Sequence, residues 1–167
     1  MAEFRSINPQ EIFDNPFKLF GSDWGLVTAG TQEGFNTMTI SWGGMGTLWG
    51  KPVVTSYVRT SRYTHEFADR EEYFTVSFFP EEYKKTLAVL GSKSGRDIDK
   101  INASGLTPVA AGESVTFEEA EVTLLCKKLF KQRLDPANIV DQGVKDSHFY
   151  DNDAEHDMYI GEVVEIL

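Results

Sequence analysis

The sequence predicts a mainly β protein with short helices, whose strands form a closed or split barrel. About six or seven runs along the 167 residues are short, apolar and rich in β-branched or aromatic residues, as strands are. About three other runs have helical character. Hairpin-like connections recur, and they favour an antiparallel barrel over an open parallel sheet. Without a repeat or an interdomain linker, we expect one domain over residues 1–167.

The first predicted element is a short helix that starts at Asn8-Pro9 and that Asn15-Pro16 breaks. The apolar residues in and after it are expected to pack on the main body: Phe13, Phe17, Leu19 and Phe20. Two strands follow, over residues 24–31 and 35–42, with a tight hairpin connection at residues 32–34.

The second of these strands alternates between two kinds of side chain. One face carries Phe35 and the hydroxyls of Thr37, Thr39 and Ser41, whereas the other carries Asn36, Met38, Ile40 and Trp42. Either a solvent-facing or a ligand-facing strand explains the hydroxyl face. The glycine-rich connection behind it, residues 43–50, permits positive φ and close backbone approach.

A cluster of cations and hydroxyls follows the next strand, residues 53–58. Arg59 and Arg62 stand beside Ser61 and Thr64, and a helix is expected to begin near Ser61, with Thr60 or Ser61 as its N-cap. Guanidinium groups, hydroxyls and a helix N-terminus together suit a phosphate. The alternative is an ordinary capped helix with solvated arginines.

The second half of the chain continues the mixed pattern. We expect a strand at residues 74–79, helices at 80–90 and 98–103, a long strand within 117–134, a surface loop at 135–157 and a closing strand at 158–167. The polar loop at residues 91–97 offers further donors. It matters for a site only if the fold brings it, or its copy from a second subunit, to the arginine cluster.

Composition and missing motifs exclude several classes of protein. The net charge of −10 argues against nucleic-acid and anionic-membrane partners, so an anion site must be a local basic spot. The single Cys126 excludes an intrachain disulfide framework and a CxxC pair, so a cofactor must carry the electrons of any redox reaction. The sequence has no apolar signal-peptide core and no run of ~20 apolar residues, so we expect a soluble, cytoplasmic protein.

Zinc, hydrolase, phosphate-loop and Rossmann motifs are all missing from the sequence. His156 is the one histidine that we single out as a catalytic candidate, against the alternative of a common surface histidine. Trp42 and Trp49 could stack on a planar ring, although core tryptophans are at least as common. We predict no metal site.

Three segments together resemble the flavin reductase-like family of FMN-binding split barrels, the group that includes flavoredoxin. They are residues 35–64, 72–100 and 158–167, and the stretch from 24 to 100 is the most specific. The resemblance implies a Greek-key split barrel, a homodimer, and FMN bound near the dimer interface.

The resemblance also assigns the site residues. It places one strand along the flavin ring and ribityl chain: Asn36, Thr37, Met38, Thr39 and Ser41. It matches a phosphate-binding turn to Arg59, Ser61, Arg62 and Thr64, and a second polar segment to Ser94, Gly95, Arg96 and Lys100. Thr60 departs from the proline expected in the turn, and Asp157 stands where the family pattern tends to be basic.

The function implied is that of an FMN oxidoreductase. NADH or NADPH would reduce the bound flavin, which would pass electrons to free flavin, a partner protein or another acceptor; no side chain need act as acid or base. The alternative is a flavoredoxin-type carrier that a protein partner reduces, and a third interpretation is a structural module without FMN.

Overall fold

The computed structural model describes residues 6–9, 15–151 and 155–167. Its main sheet has seven antiparallel strands in the order β2-β1-β5-β8-β9-β4-β3, and a separate hairpin pairs β6 with β7. The strands are β1 (Gly25–Thr31), β2 (Gly34–Ile40), β3 (Gly43–Leu48), β4 (Lys51–Arg59), β5 (Tyr73–Phe78), β6 (Pro108–Ala111), β7 (Ser114–Phe117), β8 (Val122–Arg133) and β9 (His156–Ile166).

Short helices connect the strands. They are α1 (Pro16–Lys18), which continues into a π-helical turn, α2 (Tyr63–Arg70), α3 (Lys84–Ser92), α4 (Lys100–Ser104) and α5 (Gln142–Lys145). The chain leaves β4 near one edge of the sheet and returns through α2 as β5, beside β1; this long return is the Greek-key feature. Within the described ranges, none of the helices combines the length and the apolar surface needed to cross a membrane.

The sheet curls around its larger core. Met38 and Ile40 come from the edge strand β2, Val54 and Val58 come from β4 near the opposite edge, and all four belong to one buried apolar cluster. A flat sheet would hold these strands far apart, so the strands enclose a barrel interior. The predicted mainly β, antiparallel barrel is confirmed.

A second core covers the outer face of β1, β2 and β5. Leu26 from β1 packs there with Leu87 and Leu90 of α3 and with Phe117 of β7. Strands β5, β7 and β8 also share a closed triangle of buried hydroxyls, in which Ser77 is 3.0 Å from Thr116, Thr116 is 2.6 Å from Thr123, and Thr123 is 3.1 Å from Ser77. All three side chains are fully buried, and each hydroxyl has the partners that burial demands.

Several expected boundaries are corrected by the structure. The glycine-rich connection is the edge strand β3, and Trp49 and Gly50 form its turn with φ of 53° and 70°, as a primed hairpin turn requires. The β6–β7 hairpin was not predicted. The N-cap of α2 is Arg62, without a side-chain hydrogen bond, so the expectation of a cap at Thr60 or Ser61 is wrong.

The N-terminal helix prediction also needs correction. Most of the predicted helix, residues 10–14 with Phe13, lies outside the described residues. Asn15, expected to end a helix, begins one instead: its Oδ1 accepts hydrogen bonds from the backbone N–H groups of Phe17 and Lys18, and Pro16 takes the first helical position.

Candidate functional site

A cavity of about 280 Å³ opens where β2 and β4 end. Among the described residues, its lining contains two arginines, two histidines and no carboxylate, in a chain whose net charge is −10. Such a cavity concentrates positive potential and favours an anionic ligand. The lining residues are Met38, Thr39, Ile40, Ser41, Trp42, Tyr57, Arg59, Arg62, His148, Phe149 and His156.

Arg59 brings an available cation to this cavity. It is the last residue of β4 and lies opposite His156 in the register with β9. Its side chain is exposed, and within the described part of the chain its guanidinium has neither a hydrogen bond nor a carboxylate partner. An arginine in that state retains all five donors for a ligand.

Arg62 brings the second cation, which the protein holds by carbonyl groups. Its Nη1 donates to the Gly91 carbonyl at 2.6 Å and its Nη2 donates to the Leu90 carbonyl at 3.3 Å, both at the C-terminal end of α3. Burial and the nearby charge of Arg59 both lower the pKa of Arg62. A dianionic phosphate would relieve this repulsion, so the residues present fit a phosphorylated ligand.

Aromatic rings line the other side of the cavity. The Trp42 ring lies 4.9 Å from the His156 ring at a tilt of 39°, and 5.1 Å from the Phe149 ring at 88°. Phe149 belongs to a 3-10 turn, His148–Tyr150, in the long segment before β9. The cavity thus combines cations with planar apolar surface, as an anion attached to an aromatic ring requires.

Comparison with known proteins now identifies the family. The family model of the flavin reductase like domain matches residues 17–167 of this chain. This chain belongs to the flavin reductase-like family. No curated protein sequence matches it.

Solved structures show the fold. An FMN-binding domain of a flavin reductase-like enzyme from Shewanella baltica is 18% identical, with a TM-score of 0.68 over 97% of this chain and 75% of that one. An FMN-binding protein from Thermus thermophilus is 21% identical, with a TM-score of 0.67 over 100% and 80%. Flavoredoxin from Desulfovibrio vulgaris is 20% identical, with a TM-score of 0.66 over 86% and 68%. The split barrel that the resemblance implied is confirmed.

In this flavin reductase-like chain, the predicted site residues fall into three groups. Six of them line the cavity, together with the candidate histidine His156: Met38, Thr39, Ser41, Trp42, Arg59 and Arg62. Four others line a separate open pocket of about 580 Å³ near the start of β2: Asn36, Gly95, Arg96 and Lys100. The last four line neither pocket: Thr37, Ser61, Thr64 and Ser94.

At Thr37 the hydroxyl face of β2 meets neither solvent nor the arginine cavity. That side chain is fully buried, and its hydroxyl is bonded to Thr28 Oγ1 at 2.8 Å and donates to the Val27 carbonyl at 3.2 Å. Thr39 lines the cavity, but its hydroxyl is engaged within the protein and donates to the Leu87 carbonyl at 2.5 Å. The second core therefore uses this face of β2, and neither alternative from the sequence describes it.

The residues of the predicted phosphate turn differ in their surroundings. The Thr64 hydroxyl is buried and accepts a hydrogen bond from Asn36 Nδ2 at 2.6 Å. The backbone carbonyl of Ser61 accepts a hydrogen bond from Arg96 Nη1 at 3.3 Å. Only the two arginines of the predicted turn reach the cavity lining.

Asp157 is an internal anchor beside the cavity rather than a surface group. It is 1% exposed, is hydrogen-bonded to His65 Nε2 at 2.6 Å, and accepts from Arg133 Nε. Burial alone would raise the pKa of Asp157, but the hydrogen bonds and the charge of Lys131 lower it to about 2. His65, Asp69 and Asp157 lie close enough together for a metal, yet Arg133 and Lys131 already neutralise the two carboxylates.

Sequence reasoning missed Ile40, Tyr57, His148 and Phe149 as lining residues. Ile40 and Tyr57 have an ordinary strand pattern, and His148 and Phe149 stand in a segment whose polar composition indicated a surface loop. No local signal in the sequence marks a turn that folds back over a distant strand end.

Proposed function

We propose that this protein is an FMN-dependent oxidoreductase that takes electrons from NADH or NADPH and passes them to a flavin or another acceptor. The cavity carries the proposal: its described lining places Arg59 and Arg62 beside Trp42 without a carboxylate, in a chain of the flavin reductase-like family. Relatives of the same fold are described as FMN-binding, which supports the choice of ligand.

Different residues of the cavity would hold the phosphate and the planar part of the ligand. Arg59 and Arg62 would bind the phosphate by charge-assisted hydrogen bonds. The backbone of β2 near Met38 and the rings of Trp42 and Tyr57 would bound the planar part of the ligand and exclude water from it. FMN, when bound, supplies the hydride and electron transfer. His156 contacts Trp42 and is proposed to shape this wall rather than to transfer a proton.

A second candidate function is that of an electron carrier that a protein partner reduces. The net charge of −10 favours it, because an acidic surface steers a basic partner, and flavoredoxin is among the proteins with this fold. The two functions share the FMN site and differ in the electron donor.

An absorption spectrum of the purified protein with FMN tests both functions. Under anaerobic conditions we expect NADH or NADPH to bleach the flavin bands within seconds. Two results together would favour the second function over the first. They are the absence of bleaching at millimolar nicotinamide, and reduction of the flavin by a basic redox protein that added salt suppresses. Failure of FMN to bind would reject both.

We also propose that the protein acts as a homodimer. Ser94, Gly95 and Arg96 do not line the arginine cavity of their own chain, so these polar groups would serve the site only from a second copy. Light scattering that gives the mass of a monomer, in a protein that still binds FMN, would contradict this arrangement.

A further inference from the structure

Lys100 is a buried cation that the proposed function leaves without a role. It is the first residue of α4 and is 5% exposed. Its Nζ donates to the Thr37 carbonyl at 2.9 Å and to the Leu90 carbonyl at 3.1 Å. Within the described residues it has no carboxylate partner, and buried charges without one are rare.

The Leu90 carbonyl connects Lys100 to the cavity. The same oxygen accepts from Arg62 Nη2 at 3.3 Å, while the next carbonyl along α3, that of Gly91, accepts from Arg62 Nη1 at 2.6 Å. Carbonyl groups at a helix C-terminus lack partners within the helix and carry partial negative charge. Two cations, Arg62 at the N-cap of α2 and Lys100 of α4, therefore converge on the negative end of α3.

The same helix end is fastened to the strand that forms the cavity wall. A Cβ atom at Gly91 would lie 3.2 Å from the Thr39 Cβ, so the chain passes very close to β2 there. Thr39 Oγ1 donates to the Leu87 carbonyl. Lys100 Nζ donates to the carbonyl of Thr37, which lies two residues before Thr39 on β2. Of the two cations at this helix end, Arg62 lines the cavity and Lys100 does not.

We propose that Lys100 is a positioning residue for the anion site: its ammonium ties the end of α3 to β2 and, through the shared Leu90 carbonyl, fixes Arg62 where it meets an anionic ligand. Burial and the charge of Arg62 lower the pKa of Lys100 to about 8, so the ammonium form still predominates at pH 7. Its charge adds to the positive potential of the cavity without contact with the ligand. The inference rests on the proposed function only in taking the FMN phosphate as the anion.

The test compares Lys100→Met, which removes donor and charge, with Lys100→Gln, which keeps a donor, and with Lys93→Met as the matched control. Lys93 is exposed and directly follows α3, so its loss removes the same charge near the same helix end without the buried contacts. Dissociation constants are measured for FMN and for riboflavin, which lacks the phosphate. We expect Lys100→Met to weaken FMN about tenfold and riboflavin less than about twofold, with Lys100→Gln intermediate and Lys93→Met unchanged.

A second readout follows Arg62 itself. The Nε–Hε signal of Arg62 in a nitrogen–proton correlation spectrum, assigned by its loss in Arg62→Lys, should move and exchange faster in Lys100→Met, or in Lys100→Gln if the methionine variant does not fold. Equal weakening of both flavins, or an unchanged Arg62 signal, would overturn the proposal. If the native protein binds no FMN, the proposed function fails, and the response of the Arg62 signal to inorganic phosphate still decides the role of Lys100.

Discussion

Arg59 and Arg62 line one cavity but differ in what holds them. Two helix-end carbonyls fix Arg62, whereas the exposed Arg59 guanidinium has no hydrogen-bond partner in the described part of the chain. An arginine without internal partners can leave its position at little cost to stability. Its loss should therefore appear in ligand binding rather than in folding.

We predict that Arg59→Gln weakens FMN binding at least about tenfold, because a hydrogen bond to a charged group contributes ~1.5–3 kcal/mol. Riboflavin binding should change by less than about twofold, and the melting temperature should stay the same. Arg70→Gln is the matched control, since Arg70 is an exposed arginine on α2 that does not line the cavity. Titration by flavin fluorescence measures both ligands; equal weakening of the two would reject the phosphate assignment.

Asp157 should make the fold sensitive to acid. Its pKa of about 2 lies below the ~3.9 of an unfolded aspartate, so ionisation stabilises the folded state above about pH 4. This contribution is lost as the pH falls from about 4 to about 2. We predict that Asp157→Asn lowers the free energy of unfolding by about 2 kcal/mol at pH 7, and that the difference from the native protein shrinks towards pH 2.

Urea denaturation across that pH range measures the effect. Asp23→Asn is the control, because Asp23 pairs with the exposed Lys18 and such surface pairs contribute ~0–1 kcal/mol. A difference between Asp157→Asn and the native protein that stays constant down to pH 2 would contradict the assignment of Asp157 as an ionised anchor.

The strands show, at the level of elements, how close packing limits substitution. Gly161 lies in the interior strand β9, and a Cβ there would come within 2.7 Å of Phe74 Cζ and 2.8 Å of Cys126 Cβ. Gly46 lies in the edge strand β3, where a Cβ would meet nothing within 4 Å. The two glycines thus have opposite surroundings in one sheet.

We predict that Gly161→Ala destabilises the protein by about 1–3 kcal/mol, because the added methyl must displace packed core groups. Gly46→Ala should change stability by less than about 0.5 kcal/mol and serves as the control. Both free energies come from urea denaturation. A loss of equal size in the two variants would show that strand flexibility, rather than packing in the barrel, sets the cost.

How far the sequence predicts these elements depends on how local their causes are. The strand at residues 53–58 and its arginine cluster were predicted, since β-branched residues and adjacent cations are visible along the chain. The burial of Thr37 could not be predicted, because its partner Thr28 is set by the register of β1 with β2. The position of Phe149 over Trp42 depends on how a long segment folds back, which no local pattern specifies.

At the scale of the whole molecule, the two cores share one sheet. Leu26 and Val27 are neighbours on β1, and they face the outer core and the barrel interior respectively. Disorder in either core would remove the packing from one face of the strand on which the other core also packs. Residues 1–167 should therefore form a single cooperative unit, as a one-domain chain does.

We predict that tryptophan fluorescence and far-ultraviolet circular dichroism report the same midpoint in urea. FMN at about 100 times its dissociation constant should add ~2.7 kcal/mol to the free energy of unfolding and move both curves together. Two separated transitions in the absence of ligand would argue against a single domain.

The triangle of hydroxyls between β5, β7 and β8 has a consequence for the accuracy of folding. If the β6–β7 hairpin slipped by one residue, Val115 or Phe117 would replace Thr116 opposite Ser77 and Thr123. Each of those two hydroxyls would lose one of its two buried partners and keep only the other, and a buried hydrogen bond contributes ~0.5–1.5 kcal/mol. The triangle can form in only one register of the hairpin. It therefore disfavours misaligned states that an all-aliphatic interface would tolerate.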